Sequence, residues 1–149
     1  MDFSKKYIKM CDTEEIQLKW NPKLGDVFFN EFSGHTLILT ENLYREHLEN
    51  EKIDLVKCKG YIWLPRQDQL QEMLIEHYKK ENIFDGAVVN TLMVGLIWFW
   101  RDKSDEVYGP YEILRFTSME QLWLVFVMYE LYKKAWDEVN NVWILVNWE

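Results

Sequence analysis

The sequence predicts an α+β fold, on three observations. Two segments place apolar residues at helical spacing, and several short runs of β-branched and aromatic residues sit between turn formers. The third is size: a globular chain of 149 residues buries roughly 68–70% of its unfolded surface, enough for one core without disulfides or metal. The expected architecture is a single compact domain over residues 1–149. Two or three amphipathic helices pack on a small, mostly antiparallel sheet. No Pro- or Ser-rich linker and no internal repeat divides the chain, and Pro22, Pro65 and Pro110 fall at element edges.

The elements follow in order. Phe3 to Trp20 predicts a helix, with Phe3, Tyr7, Met10 and Cys11 on its apolar stripe, stopped by Asn21-Pro22. Val27–Phe29 and Thr36–Leu39 predict two strands around Ser33-Gly34-His35. Glu41 to Asp54 is heavily charged and predicts a solvated loop or short helix. Leu55 to Leu64 is strand-like, with Gly60 marking a bend or bulge. Pro65 then opens a helix over Gln67–Tyr78, where Leu70, Met73, Leu74, His77 and Tyr78 share one face. Ala87 to Trp100 reads as a buried helix followed by a strand, the switch near Gly95. A charged turn follows, and Tyr111–Phe116 predicts a strand pairing back. Ser118 with Gln121, or Thr117 with Glu120, has capping-box spacing ahead of a helix over Gln121–Tyr132. Ala135 to Trp148 predicts a hairpin turning on Asn140-Asn141.

Composition narrows function more by exclusion. At 48% hydrophobic and 28% charged, the chain is neither disordered nor collagen-like. Its net charge of −8 argues against direct nucleic-acid binding and against docking on anionic membranes. The longest uncharged run, Gly86 to Trp100, is shorter than the roughly 20 residues of a membrane span. No signal peptide is visible, and Cys11 and Cys58 read as reduced, buried thiols; both point to the cytoplasm. Eight each of Trp, Tyr and Phe are the unusual feature. Trp98, Trp100, Trp143 and Trp148 offer more aromatic surface than one small core absorbs, so a homodimer is expected.

Catalytic motifs are missing. His35, His47 and His77 lie far apart, no Cys-x-x-Cys or His-Glu-x-x-His is present, and no metal or cofactor is expected. There is no Gly-x-Ser-x-Gly elbow and no Gly-rich phosphate loop. The balance is against an enzyme.

One segment carries binding chemistry. Trp63-Leu64-Pro65-Arg66-Gln67-Asp68-Gln69-Leu70 puts an aromatic face, a guanidinium and two amides at a strand-to-helix junction. Helix-start N–H groups attract anions, and arginine grips phosphate or carboxylate with two prongs. The helix start Ser118–Trp123 is a second polar-aromatic cluster. If both face one crevice, Trp63, Arg66, Gln67, Gln69, Gln121 and Trp123 converge on an anionic, nucleotide-like ligand. The structural alternative has Arg66 paired with Asp68, Trp63 in the core and Ser118 as a plain cap.

Three blocks resemble small uncharacterised phage and prophage proteins of Gram-positive bacteria. The first runs from Tyr7-Ile8-Lys9-Met10-Cys11 through Glu15-Ile16-Gln17, Trp20-Asn21-Pro22-Lys23 and Gly25-Asp26. The second is Trp63-Leu64-Pro65-Arg66-Gln67-Asp68-Gln69-Leu70-Gln71-Glu72-Met73-Leu74. The third is Ser118-Met119-Glu120-Gln121-Leu122-Trp123-Leu124-Val125-Phe126-Val127-Met128, followed by Lys134 and Trp136. Residues 31–59 and 78–115 lie outside the resemblance. It implies an origin and a host-cytoplasm setting, and no mechanism.

That origin favours a binding protein of one of two kinds. The first sequesters a nucleotide-like signal of host defence in a polar-aromatic pocket. The alternative is an acidic inhibitor that blocks a host or defence protein, sometimes by mimicking DNA charge. The carboxylates are dispersed over Asp12–Glu15, Glu41–Glu51 and Asp102–Glu106, which weakens the mimic. A minor phage enzyme is the remaining alternative.

Overall fold

The computed structural model describes residues 1–45, 60–81, 85–103 and 115–146. The fold is α+β, and the chain gathers into two compact units. One is Phe3–Arg66; the other is Gln67–Glu149 together with Met1–Asp2.

The first unit opens with α1 (Lys5–Cys11), where the Ser4 hydroxyl accepts the Tyr7 N–H at 3.1 Å as an N-cap. The single helix expected over Phe3–Trp20 is instead two. Asp12 leaves helical geometry, and a short α2 (Glu14–Gln17) follows. The break lets Tyr7, Met10, Cys11 and Ile16 all turn inward, which one straight helix would not. Strand β1 (Val27–Asn30) is central in an antiparallel sheet of order β2-β1-β3, between β2 (His35–Ile38) and β3 (Tyr61–Trp63). Register is set by Phe28 opposite Leu37 on one side and Trp63 on the other. A one-turn α3 (Glu41–Tyr44) starts the charged stretch, whose remainder lies outside the described residues. Helices α1 and α2 pack on β3, and Trp20, Phe28, Ile62, Trp63 and Leu64 complete the core. Gly60 has φ +100°, a left-handed conformation that favours glycine, and a Cβ there would meet the exposed Phe32 ring at under 3 Å and push it aside.

The second unit is built around α6 (Met119–Tyr132), buried on nearly every side from Trp123 to Tyr129. The amphipathic form expected of the helices is therefore not that of α6. It is a central helix, and half-buried Leu122 is less enclosed than its neighbours. Against it pack α4 (Gln67–Lys80), through Leu70 and Leu74, and the hairpin of β4 (Lys134–Asp137) and β5 (Val142–Leu145). Lys133, at φ +54°, turns the chain directly from α6 into β4.

Helix α5 (Asp85–Trp98) packs on α4 and runs into a π-helical turn, Phe99–Lys103. The strand expected at Trp98–Trp100 is absent. Phe99 is buried against Phe126 and Tyr129, at 5.4 and 4.6 Å between ring centroids, while Trp98 faces outward. An uncharged run apolar on both sides has no period to separate helix from strand. The expected strand at Tyr111–Phe116 falls almost wholly outside the described residues, as do Cys58, His47 and Trp148. Cys11 is fully buried in the core of the first unit.

Both hairpins use one turn design. Asn30 and His35 flank a four-residue loop, and Asn30 Oδ1 accepts the N–H of Phe32 at 2.9 Å and of Ser33 at 3.2 Å. Asp137 and Val142 flank another, and Asp137 Oδ1 accepts the N–H of Val139 at 2.9 Å and of Asn140 at 3.1 Å. The last loop residue is left-handed in each, Gly34 at φ +70° and Asn141 at φ +53°. The turn expected on Asn140-Asn141 alone is thus two residues longer, with Val139 exposed at its tip.

Candidate functional site

In the first unit, the strand-to-helix segment is fastened by residues distant in sequence. Gln17 brackets Trp63: the Trp63 N–H donates to Gln17 Oε1 at 2.8 Å, and Gln17 Nε2 donates to the Trp63 carbonyl at 3.1 Å. The same amide reaches the Cys11 carbonyl at 2.8 Å. Tyr7 Oη donates to the Pro65 carbonyl at 2.5 Å. Trp63 is only 4% exposed, and its ring stacks on Trp20 at 6.2 Å with an interplanar angle of 3°. A ligand would have to part this stack to reach its face.

Arg66 is held by a buried carboxylate. Its Nη1 lies 3.7 Å from Asp26 Oδ1 and donates to the Gly25 carbonyl at 3.3 Å. Asp26 also accepts the Trp20 indole N–H and the Lys23 N–H, each at 2.9 Å. A buried carboxylate needs such donors, since an uncompensated charge is costly to desolvate. The Arg66 side chain is still 39% exposed.

In the second unit, Gln67 and Gln69 are half-buried in the first turn of α4. Gln121 is fully buried and committed. Its Nε2 donates to Asp2 Oδ2 at 2.6 Å, its Oε1 accepts the Thr117 N–H at 3.1 Å, and its own N–H donates to the Ser118 hydroxyl at 3.1 Å. Ser118 Oγ donates to Asp2 Oδ2 at 2.6 Å, and the Met1 ammonium lies 3.1 Å from Glu120. Ser118 is the N-cap, and the returning Gln121 amide reaches one residue past it to the Thr117 N–H, with the Asp2 carboxylate joining the two side chains. Trp123 is 2% exposed and lies 6.1 Å from Phe126.

The six predicted site residues therefore divide. Trp63 and Arg66 belong to one unit; Gln67, Gln69, Gln121 and Trp123 belong to the other. Trp63, Trp123 and Gln121 serve internal structure, while Arg66, Gln67 and Gln69 keep partial exposure. The indole N–H groups of Trp63 and Trp123 are buried with no acceptor among the described residues. Sequence reasoning missed Gln17, Asp26 and Asp2, whose contacts to Trp63, Arg66 and Gln121 cross long stretches of chain.

It also missed the outer face of α5. The inner face carries buried Leu92 and Phe99. At Gly95, a Cβ would come 3.3 Å from the Phe126 ring and 3.6 Å from the Tyr78 hydroxyl. Burial, reinforced by the Glu130 carboxylate, pushes that hydroxyl up to about 12, so it stays protonated. The outer face exposes Ala87 and Asn90, then Met93 (51%), Val94 (56%), Ile97 (57%) and Trp98 (40%). Ala87, Asn90, Val94 and Ile97 fall at i, i+3, i+7 and i+10, the spacing of a helix–helix seam. The signal in the sequence was the uncharged run itself. One buried face explains only half of its apolar residues.

Among the described residues, no three His, Cys, Asp or Glu side chains gather as a metal site, and no helix is long and apolar enough to cross a membrane. Compared with known proteins, the chain matches no family model, no curated protein and no solved structure.

Proposed function

We propose that this chain is a phage- or prophage-encoded, non-enzymatic protein of the host cytoplasm that works by binding polypeptides, with the outer face of α5 as a docking surface. The observation that carries this reading is the exposed, charge-free stripe Asn90, Met93, Val94, Ile97 and Trp98 in a chain of net charge −8. Contiguous exposed apolar surface of this kind marks interaction sites. The three sequence blocks resembling Gram-positive phage proteins support the origin, and self-association as a homodimer is compatible with the same face. A photo-crosslinking residue placed at Ile97 tests the reading in producing cells. A polypeptide adduct at position 97, and none from a control at exposed Leu18 in the other unit, is expected. No adduct at position 97 would contradict it.

A second reading keeps the sequestration of an anionic, nucleotide-like ligand. Its support is the half-exposed Arg66 guanidinium and the indole donors of Trp63 and Trp123 that lack an acceptor among the described residues. It requires the buried tryptophans to open, which makes it the less economical reading.

A further inference from the structure

We infer that the occupant of the outer α5 face is α5 of a second copy, paired antiparallel about a two-fold axis that crosses the helix between Gly95 and Leu96. This rests on the reading of that face as a docking surface and adds to it the partner and the register.

The argument is self-complementarity. A two-fold axis at that point sets each residue against one whose number completes the same sum. Val94 then faces Ile97 of the second copy, and Met93 faces its Trp98; all are exposed apolar side chains. Thioether against aromatic ring is a favourable contact. Asn90 faces Arg101, the other exposed polar residue of the stripe, and an amide carbonyl suits a guanidinium. Across Asn90 to Arg101, apolar groups meet apolar groups and polar groups meet polar groups. Shifting the axis by one helical turn breaks this, because Asn90 then faces Val94.

Electrostatics agree. Two copies of a chain with net charge −8 repel wherever carboxylates face each other. The stripe from Ala87 to Arg101 carries no carboxylate, and its one charge is the cation at its end. The π-helical turn at Phe99–Lys103 is wider than an α turn and holds Arg101 on the exposed side, while Phe99 stays in the core. The contact from Asn90 to Arg101 spans roughly 16 Å of helix. Such a short seam gives a dimer that dissociates on dilution.

Light scattering over a dilution series tests this with untagged protein. The wild type should approach twice its 18.2 kDa at high concentration and fall toward it on dilution. Val94→Glu and Ile97→Lys should each give 18.2 kDa at every concentration while melting near the wild type, since both positions are exposed. Mixing the two variants should restore the doubled mass, because Glu at 94 then meets Lys at 97 across the axis. A wild type that stays monomeric, single variants that remain dimeric, or a mixture that fails to pair would each overturn the inference. A monomeric wild type that still forms adducts at position 97 with a different polypeptide removes the second copy and leaves the docking face standing. A monomer with no adduct removes both.

Discussion

Arg66 shows how a residue suited to a ligand can be taken up by structure. Its guanidinium serves Asp26, and Asp26 in turn holds the Trp20 indole and the Lys23 N–H. Two substitutions separate the roles. Asp26→Ala strands a buried indole donor and a backbone donor and should cost about 2–3 kcal/mol. Arg66→Ala removes a half-exposed partner and leaves Asp26 its other donors, so the cost should be about 1 kcal/mol, discounted for solvent. For a chain near this size each kcal/mol moves the melting temperature by roughly 2–4 °C. A thermal scan in which Arg66→Ala melts like the wild type while losing affinity for an anionic ligand would return Arg66 to the binding reading. Gln17 and Asp26 were illegible beforehand for a plain reason. The contacts that tie them to this segment, Gln17 to Trp63 and Asp26 to Arg66, span 46 and about 40 positions, and no local pattern encodes a contact at that range.

At the scale of elements, what sequence revealed was what neighbours within a few residues decide. Ser118 and Gln121 cap α6 as their spacing predicts, and the Leu70/Leu74 periodicity marks α4. The break at Asp12-Thr13 was hidden because burial of Tyr7, Met10 and Ile16 together decides it. The Trp98–Trp100 strand failed because both sides of α5 are apolar. The Asn140-Asn141 turn was placed correctly but made too short, since Asp137 is the residue that organises it. That role has a pH signature. The Asn140 side chain, then the Asn140 N–H, hold the exposed Asp137 carboxyl below its ordinary value of 3.8, with the Val139 N–H adding to them. A carboxyl with a lowered folded pKa stabilises above the unfolded value and loses that contribution as pH falls through the folded one. Protection of the Val139 and Asn140 amides, taken relative to their intrinsic exchange rate, should therefore fall only in acid below the ordinary carboxylate range. Asp137→Ala should show the lowered protection at neutral pH. Equal protection in the variant and the wild type would show that the turn does not depend on this carboxylate.

For the whole molecule, the aromatic surplus and the acidic charge have one account. Four of the eight tryptophans close the cores of the two units: Trp20 and Trp63 in one, Trp123 and Trp136 in the other. Trp98 is left on an uncharged helical face of an otherwise acidic chain. The central claim is that this face binds protein, and native mass spectrometry of untagged protein drawn gently from producing cells tests it most directly. The account predicts that the 18.2 kDa chain travels with a further polypeptide, a second copy or another protein, and that Ile97→Lys releases it. A single chain carrying a small-molecule adduct, or polypeptide complexes that Ile97→Lys leaves intact, would contradict it.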